Sequence, residues 1–284
     1  MKKQWNLKPK ANEQLVAELQ ESLGVAKIVA ELLAQRGITT FETAKTFFRP
    51  DISHLHDPFL MKDMASAVAR LSTAIQQSEN ILVYGDYDVD GTTAVSLMYS
   101  FIRSIHEKVE YYIPDRYNEG YGVSFQGVDY AANNQFSLII TLDCGIKAID
   151  KVDYAREKGI DFIICDHHRP GDSVPKATAI LDPKQSDCLY PYKELSGCGV
   201  GFKLVQAYCQ KHKIPFEEII PYLDLLVVSI AADIVPVTGE NRVLAHFGLK
   251  QLNTNPRIGL KTLIEVSDIA VSYTHLTLPT IREV

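Results

Sequence analysis

With 284 residues, 46% of them hydrophobic and 23% charged, the chain can form one large or two modest domains and has an ordinary globular composition. No apolar run approaches the roughly 20 residues of a membrane span, Met1-Lys2-Lys3-Gln4-Trp5 leads into no secretory signal, and five cysteines without a C-x-x-C pair fit reduced thiols in a cytoplasmic protein. The net charge of −6 lacks the basic footprint of a general nucleic-acid binder, although a carboxylate-rich metal site also makes the formal charge more negative than the occupied site would be.

Residues 11 to 49 read as short helices. Leu15, Val16, Leu19 and Leu23 keep helical spacing before Gly24, and Val25, Ile28, Val29, Leu32 and Leu33 form a second stripe closed by Gly37. A third helix runs from Thr40 to Phe48. These stripes face a core and carry no chemistry. His54 and His56, in a loop flanked by Asp and Pro, are expected to be solvated. After a helix from Ala65 to Ile75 a regular alternation begins. Strands are expected at Ile81–Tyr84, Val109–Ile113, Leu138–Leu142, Phe162–Cys165 and Ala177–Leu181, with helices at Thr92–Ile105 and Lys147–Lys158. Continuous apolar strands separated by helices predict an α/β fold with a parallel sheet flanked by helices. After Pro183 the chain becomes mainly helical, with a strongly apolar helix from Pro215 to Ile230.

Ligands of open parallel sheets gather beyond the carboxyl ends of the strands. Asp86, Asp88 and Asp90 follow the first strand, Asp143 follows Leu138–Leu142, and Asp166, His167 and His168 follow Phe162–Cys165. Two carboxylates about 4 Å apart repel by roughly 4 kcal/mol at an effective dielectric near 20. Three strands delivering such groups to one edge therefore imply a shared cation rather than a solvated acidic turn. Asp86-x-Asp88-x-Asp90-Gly91 is no EF-hand, because position twelve is Leu97 and a strand precedes it. Phosphate-loop, dinucleotide and nucleophile-elbow patterns are absent. Cys144 and Cys165, beside acidic positions, read as packing residues. Mixed Asp and His donors favour Mn²⁺ or Mg²⁺, and two ions more than one, which points to metal-dependent phosphoester hydrolysis. Gly199, Gly201 and Lys203, in the turn Ser196–Lys203 that opens a helix, are candidates for phosphate binding, with a helix-packing turn as the alternative. Asp233 follows the apolar helix, where a cap or a buried salt bridge competes with ligation.

Asp86-Tyr87-Asp88-Val89-Asp90-Gly91, Leu142-Asp143-Cys144-Gly145, Asp166-His167-His168 and Ala232-Asp233 resemble, in order and spacing, the four motifs of the DHH phosphoesterase family. Tyr84 before them, Ile113-Pro114-Asp115-Arg116, Glu119-Gly120-Tyr121-Gly122, Leu181-Asp182-Pro183-Lys184 and Gly199–Leu204 are closer to its RecJ exonuclease branch. The resemblance covers residues 10 to 268. It implies that Asp86 and Asp88 hold one metal with Asp143 bridging, and that Asp90, His167 and Asp233 hold the second. His168 would contact the scissile phosphate, Asp166 would orient the histidines, and Arg116 would grip a 5′-phosphate unless a surface salt bridge holds it. The implied activity is 5′→3′ hydrolysis of single-stranded DNA in repair and recombination, with a single-strand-binding protein and a helicase as further partners and no membrane.

The same resemblance divides the chain into a helical extension (1–64), a catalytic domain (65–238) and the start of a helical linker (239–270). Residues 271–284 do not resemble the family and are expected to be a non-native tail, in which His275 has no role. The second domain and oligonucleotide-binding fold of the family have no counterpart, so the expectation is an N-terminal piece, weak or inactive by itself. A DHH hydrolase of short oligoribonucleotides, cyclic dinucleotides or pyrophosphate is the alternative, and a non-catalytic scaffold the third reading.

Overall fold

The computed structural model describes residues 6–267, in two units that divide after His54. The first is three helices, α1 (Glu13–Leu23), α2 (Lys27–Ala34) and α3 (Phe41–Phe48). Asn12 caps α1, Gly24 ends it at φ 65°, and a Thr40–Thr43 capping box starts α3. Val16, Leu19, Ala30, Leu33 and Ala44 close its small core. The helical stripes of the sequence face that core as expected, except at Ile28, which is exposed.

The second unit is built on five parallel strands in the order β2-β1-β3-β4-β5. These are β1 (Ile81–Gly85), β2 (Val109–Tyr112), β3 (Leu138–Leu142), β4 (Asp161–Cys165) and β5 (Ala179–Leu181). Alternation along β1 explains why both faces are covered. Ile81 and Val83 pack on α4 (Met64–Gln76), α5 (Val89–Ile105) and the later helices, whereas Leu82 and Tyr84 pack on the other side. That other side carries α6 (Phe125–Asn133) and α7 (Ile149–Glu157). Sequence periodicity missed α6, the crossover between β2 and β3, whose Ser124 cap accepts from Gly127 N–H. Fully burying each of Ile81, Leu82, Val83 and Leu138 stabilises the fold by about 1.5–3 kcal/mol.

Register decides what the strand ends can assemble. Gly85 lies opposite Leu142, Leu142 opposite Cys165, and Cys165 opposite Leu181. The residues that follow, Asp86, Asp143, Asp166 and Asp182, therefore leave the sheet side by side. Beyond β5 come α8 (Gly197–His212), α9 (Leu223–Ala232), α10 (Gly239–Thr254) and α11 (Ile258–Val266). The expected apolar helix from Pro215 is interrupted: two 3₁₀ turns, Phe216–Glu218 and Ile220–Tyr222, precede α9, with Pro221 at the start of the second. Residues 55–64 belong to this unit, because Met61 and Met64 are buried in its main core. The unit thus begins ahead of the boundary expected at residue 64. The tail expected at 271–284, and His275 with it, lies outside the described residues.

Candidate metal centre

Each strand hands its next residue to one edge of the sheet. Asp86 follows β1 fully buried, its Oδ1 accepting from Tyr87 N–H at 2.7 Å. Asp88 caps α5, its Oδ1 accepting from Gly91 N–H at 2.8 Å. The turn is tight: a Cβ on Gly91 would lie 2.5 Å from the Asp86 carbonyl oxygen. Asp143 follows β3 in the left-handed region at φ 59°, its N–H donating to the Cys165 carbonyl at 2.9 Å. Asp166 follows β4, its N–H donating to the Leu181 carbonyl at 3.0 Å. Asp233 is the C-cap of α9.

These deliveries meet at His167 Nε2. It lies 3.1 Å from Asp143 Oδ1, 3.7 Å from Asp233 Oδ2 and 3.8 Å from Asp90 Oδ2. One donor atom each of Asp90, His167 and Asp233 lie within 4.8 Å of one another, as do those of Asp143, His167 and His168. Oxygen and imidazole donors at that spacing suit a hard or borderline divalent cation. Asp86 and Asp88 stand outside both groups, but the charge of Asp88 acts on the cluster. Burial, then the charges of Asp90 and Asp88, push Asp143 up to about 10. Burial also raises Asp86 and Asp233, and Asp88 adds to both. Asp86 Oδ2 and His167 Nδ1 are buried without a hydrogen-bond partner among the described residues, and so is Asp143 Oδ1 despite its approach to His167. Buried like charges with unpaired oxygens are either an uncompensated cost or the donor set of a cation site. The residues fit a divalent metal.

Asp166 supports this layer from beneath. Its Oδ1 accepts from His167 N–H (2.7 Å), His168 N–H (3.1 Å) and His168 Nδ1 (2.7 Å), and its Oδ2 from Ile146 N–H (2.9 Å). Burial is the largest single influence and opposes its charge, but the His168 hydrogen bond and charge, with the Ile146 and His168 N–H bonds, together outweigh it and hold Asp166 below the ordinary carboxylate range. The same bond raises His168. Cys144 and Cys165 are buried, and burial pushes both thiols up, as packing residues require.

The glycine-rich turn departs from its expected role. The N-terminus of α8 does bind an anion, but the anion is Asp90. Gly197 N–H donates to Asp90 Oδ2 at 2.7 Å, Cys198 N–H to Oδ1 at 2.8 Å, and Ser229 Oγ to Oδ1 at 2.7 Å. Gly199 N–H is taken by the Ser196 cap, and a Cβ on Gly201 would lie 2.8 Å from Leu142. Lys203 is fully buried, and its three protons meet the His56 carbonyl (2.9 Å), Gln206 (2.7 Å) and Glu240 (2.8 Å). No donor of Lys203 remains for a substrate, and Gly201 lets α8 pack closely on Leu142 of β3. The glycine that matters here is Gly197, where a Cβ would fall 2.5 Å from that of Asp143. Sequence reasoning passed over it, although it sits in the same Gly run, and over Ser229, one helical turn before Asp233. His56, expected to be solvated, is half-buried and gives its backbone to the Lys203–Glu240 pair.

Arg116 is exposed, its guanidinium 5.3 Å over the Tyr87 ring and in no salt bridge among the described residues. Tyr121 was also missed as a site residue. Its hydroxyl is 3.3 Å from His168 Nε2.

Residues 80–230, more than half of the chain, match the DHH family, N-terminal domain. The chain is 42% identical over 266 residues to the single-stranded-DNA-specific exonuclease RecJ of Bacillus subtilis, a match covering 94% of this chain and 33% of that protein. The Escherichia coli protein of the same name is 35% identical over 219 residues, covering 73% and 38%. The chain thus spans well under half the length of these relatives. Among solved structures, an exonuclease RecJ bound to manganese superimposes with a TM-score of 0.71 at 29% identity, covering 81% of this chain and 57% of that one. RecJ of Thermus thermophilus in complex with Mn²⁺ gives 0.79 at 25% identity, covering 95% and 38%. The matched segment contains the acidic strand ends and the Asp166-His167-His168 run, and the chain belongs to the DHH family.

Proposed function

We propose that this chain carries the nuclease centre of a metal-dependent exonuclease that degrades single-stranded DNA from its 5′ end in repair and recombination. One observation carries the reading: Asp143, Asp90 and Asp233 converge on His167 Nε2 while Asp86 Oδ2 and Asp143 Oδ1 remain buried and unpaired. Similarity to single-stranded-DNA-specific exonucleases supports the substrate class.

In this reading Asp86, Asp88 and Asp143 hold one ion, and Asp90, His167 and Asp233 the other, with Mn²⁺ or Mg²⁺ as the metal. Two such ions, when bound, supply an activated water and neutralise charge on the phosphoryl oxygens. Asp166 fixes the His168 ring so that Nε2 faces a phosphoryl oxygen. The N-terminus of α8 and Ser229 orient the Asp90 carboxylate. Arg116 grips the terminal 5′-phosphate bidentately. Beyond single-stranded DNA we propose a single-strand-binding protein and a helicase as partners, in the cytoplasm. No helix among the described residues is long and apolar enough to cross a membrane.

The test offers 5′-labelled single- and double-stranded DNA, short RNA and cyclic dinucleotides to the protein, each with Mn²⁺ or with chelator. Mononucleotide release from single strands, absent from blunt duplex and abolished by chelator, is expected. Turnover of the small substrates alone would overturn the exonuclease reading.

A further inference from the structure

The loop 113–124 between β2 and α6 is fastened at one carboxylate. Glu119 Oε1 accepts from Asp115 N–H at 2.9 Å, and Oε2 accepts from the Tyr112 hydroxyl at 2.9 Å and the Ser124 hydroxyl at 2.5 Å. A second fastening is Tyr84 on β1, whose buried hydroxyl donates to the Gly122 carbonyl at 3.0 Å. Gly120 and Gly122, at φ 83° and 79°, take left-handed conformations that suit glycine and bracket Tyr121.

Tyr121 is thereby held against His168. Its ring meets Tyr87 at 6.0 Å and His168 at 6.2 Å, both edge-on, and its hydroxyl stands 3.3 Å from His168 Nε2. His168 Nδ1 is engaged by Asp166, so Nε2 is the nitrogen left to meet a ligand. The contact is long for a hydrogen bond, and Tyr121 is 57% exposed, so an incoming oxygen can displace it. We propose that Tyr121 is a phosphate-binding residue, its hydroxyl donating to the same phosphoryl oxygen that His168 Nε2 holds. The inference rests on the reading of His168 as a phosphate contact and adds a second donor to it. It also gives Glu119-Gly120-Tyr121-Gly122 and Tyr84 a common role, which is to preorganise that donor before the ligand arrives.

Calorimetric titration of the full 284-residue chain, loaded with Mn²⁺, with thymidine 5′-monophosphate tests this. Wild type, Tyr121→Phe and His168→Ala are compared, and Mn²⁺ affinity is measured separately without nucleotide. Phe keeps the ring contacts and removes only the hydroxyl. Tyr121→Phe is expected to weaken nucleotide binding roughly 10- to 100-fold, the range for a hydrogen bond to a charged group, with Mn²⁺ affinity unchanged. Its effect should shrink in the His168→Ala background, because both groups hold one oxygen. Wild-type nucleotide affinity in Tyr121→Phe beside weakened His168→Ala would overturn the Tyr121 role alone. An equal loss of Mn²⁺ affinity in Tyr121→Phe would also overturn it, by making Tyr121 a prop of the cluster. No nucleotide binding by wild type, or no loss in His168→Ala, would overturn the phosphate reading of the site itself.

Discussion

Two buried charged regions of this protein are built on opposite principles. In the Lys203–Glu240 pair every charged atom is matched. Lys203 gives three protons to three acceptors, and Glu240 accepts from Lys203 and His56 N–H on one oxygen and from Tyr190 on the other at 2.6 Å. Burial lowers Lys203, and the region remains closed. At the strand ends, Asp86, Asp90 and Asp143 are equally buried, yet among the described residues Asp90 and Asp143 have only His167 as an ion-pair partner, Asp86 has none, and two carboxylate oxygens have no hydrogen bond. Burial alone does not separate structure from function. What separates them is whether the charges are balanced by the chain itself.

That contrast can be broken at its strongest point first. Asp143→Ala removes the carboxylate nearest His167 and is expected to lower Mn²⁺-dependent nuclease activity by about 10³-fold or more, with an unchanged circular dichroism spectrum. In the matched region the effect should fall on stability. Lys203→Met strands Glu240 in the core and is expected to cost about 3–5 kcal/mol in urea unfolding, whereas the double variant with Glu240→Leu recovers most of it. Recovery of nothing would mean that the pair is not balanced internally.

Smaller effects sharpen the comparison. Ser229→Ala deletes one hydrogen bond to Asp90 and should weaken Mn²⁺ binding by about 10-fold, measured calorimetrically, with little loss of stability. The last test concerns stored repulsion. A carboxyl whose folded pKa is raised binds more protons in the folded than in the unfolded state. Its ionisation therefore destabilises the fold as pH climbs from the ordinary carboxylate range toward about 10. In chelator, Asp143→Asn should accordingly raise the melting temperature by a few degrees, more at pH 8 than at pH 5. A larger gain at pH 5 would contradict that sign.

Much of the site was legible because strand patterns are local. A buried parallel strand reads as an apolar run, and the residue after it is at the sheet edge whatever covers the faces. That is why Asp86, Asp143 and the Asp166-His167-His168 run could be assigned to one edge in advance. Helix α6 was not legible: Phe125–Asn133 contains Gly127 and Asn133 and buries only Gly127, Val128 and Ala131, too few for a clear stripe. The turn at Ser196–Lys203 was legible as an anion cradle, but the anion it holds, Asp90, comes from a distant helix.

The amino-acid sequence by itself determined the alternation of strands and helices, the edge at which the aspartates and histidines gather, and the donor chemistry suited to a divalent ion. Tertiary structure alone decided the partners. It paired Asp90 with the α8 amides and Ser229, enclosed Lys203 with Glu240, and brought Tyr121 to His168. The physical reason is that periodicity records which face of an element is buried. Which donor meets which acceptor depends on the packing of elements far apart in the chain, and so does whether a charge is balanced.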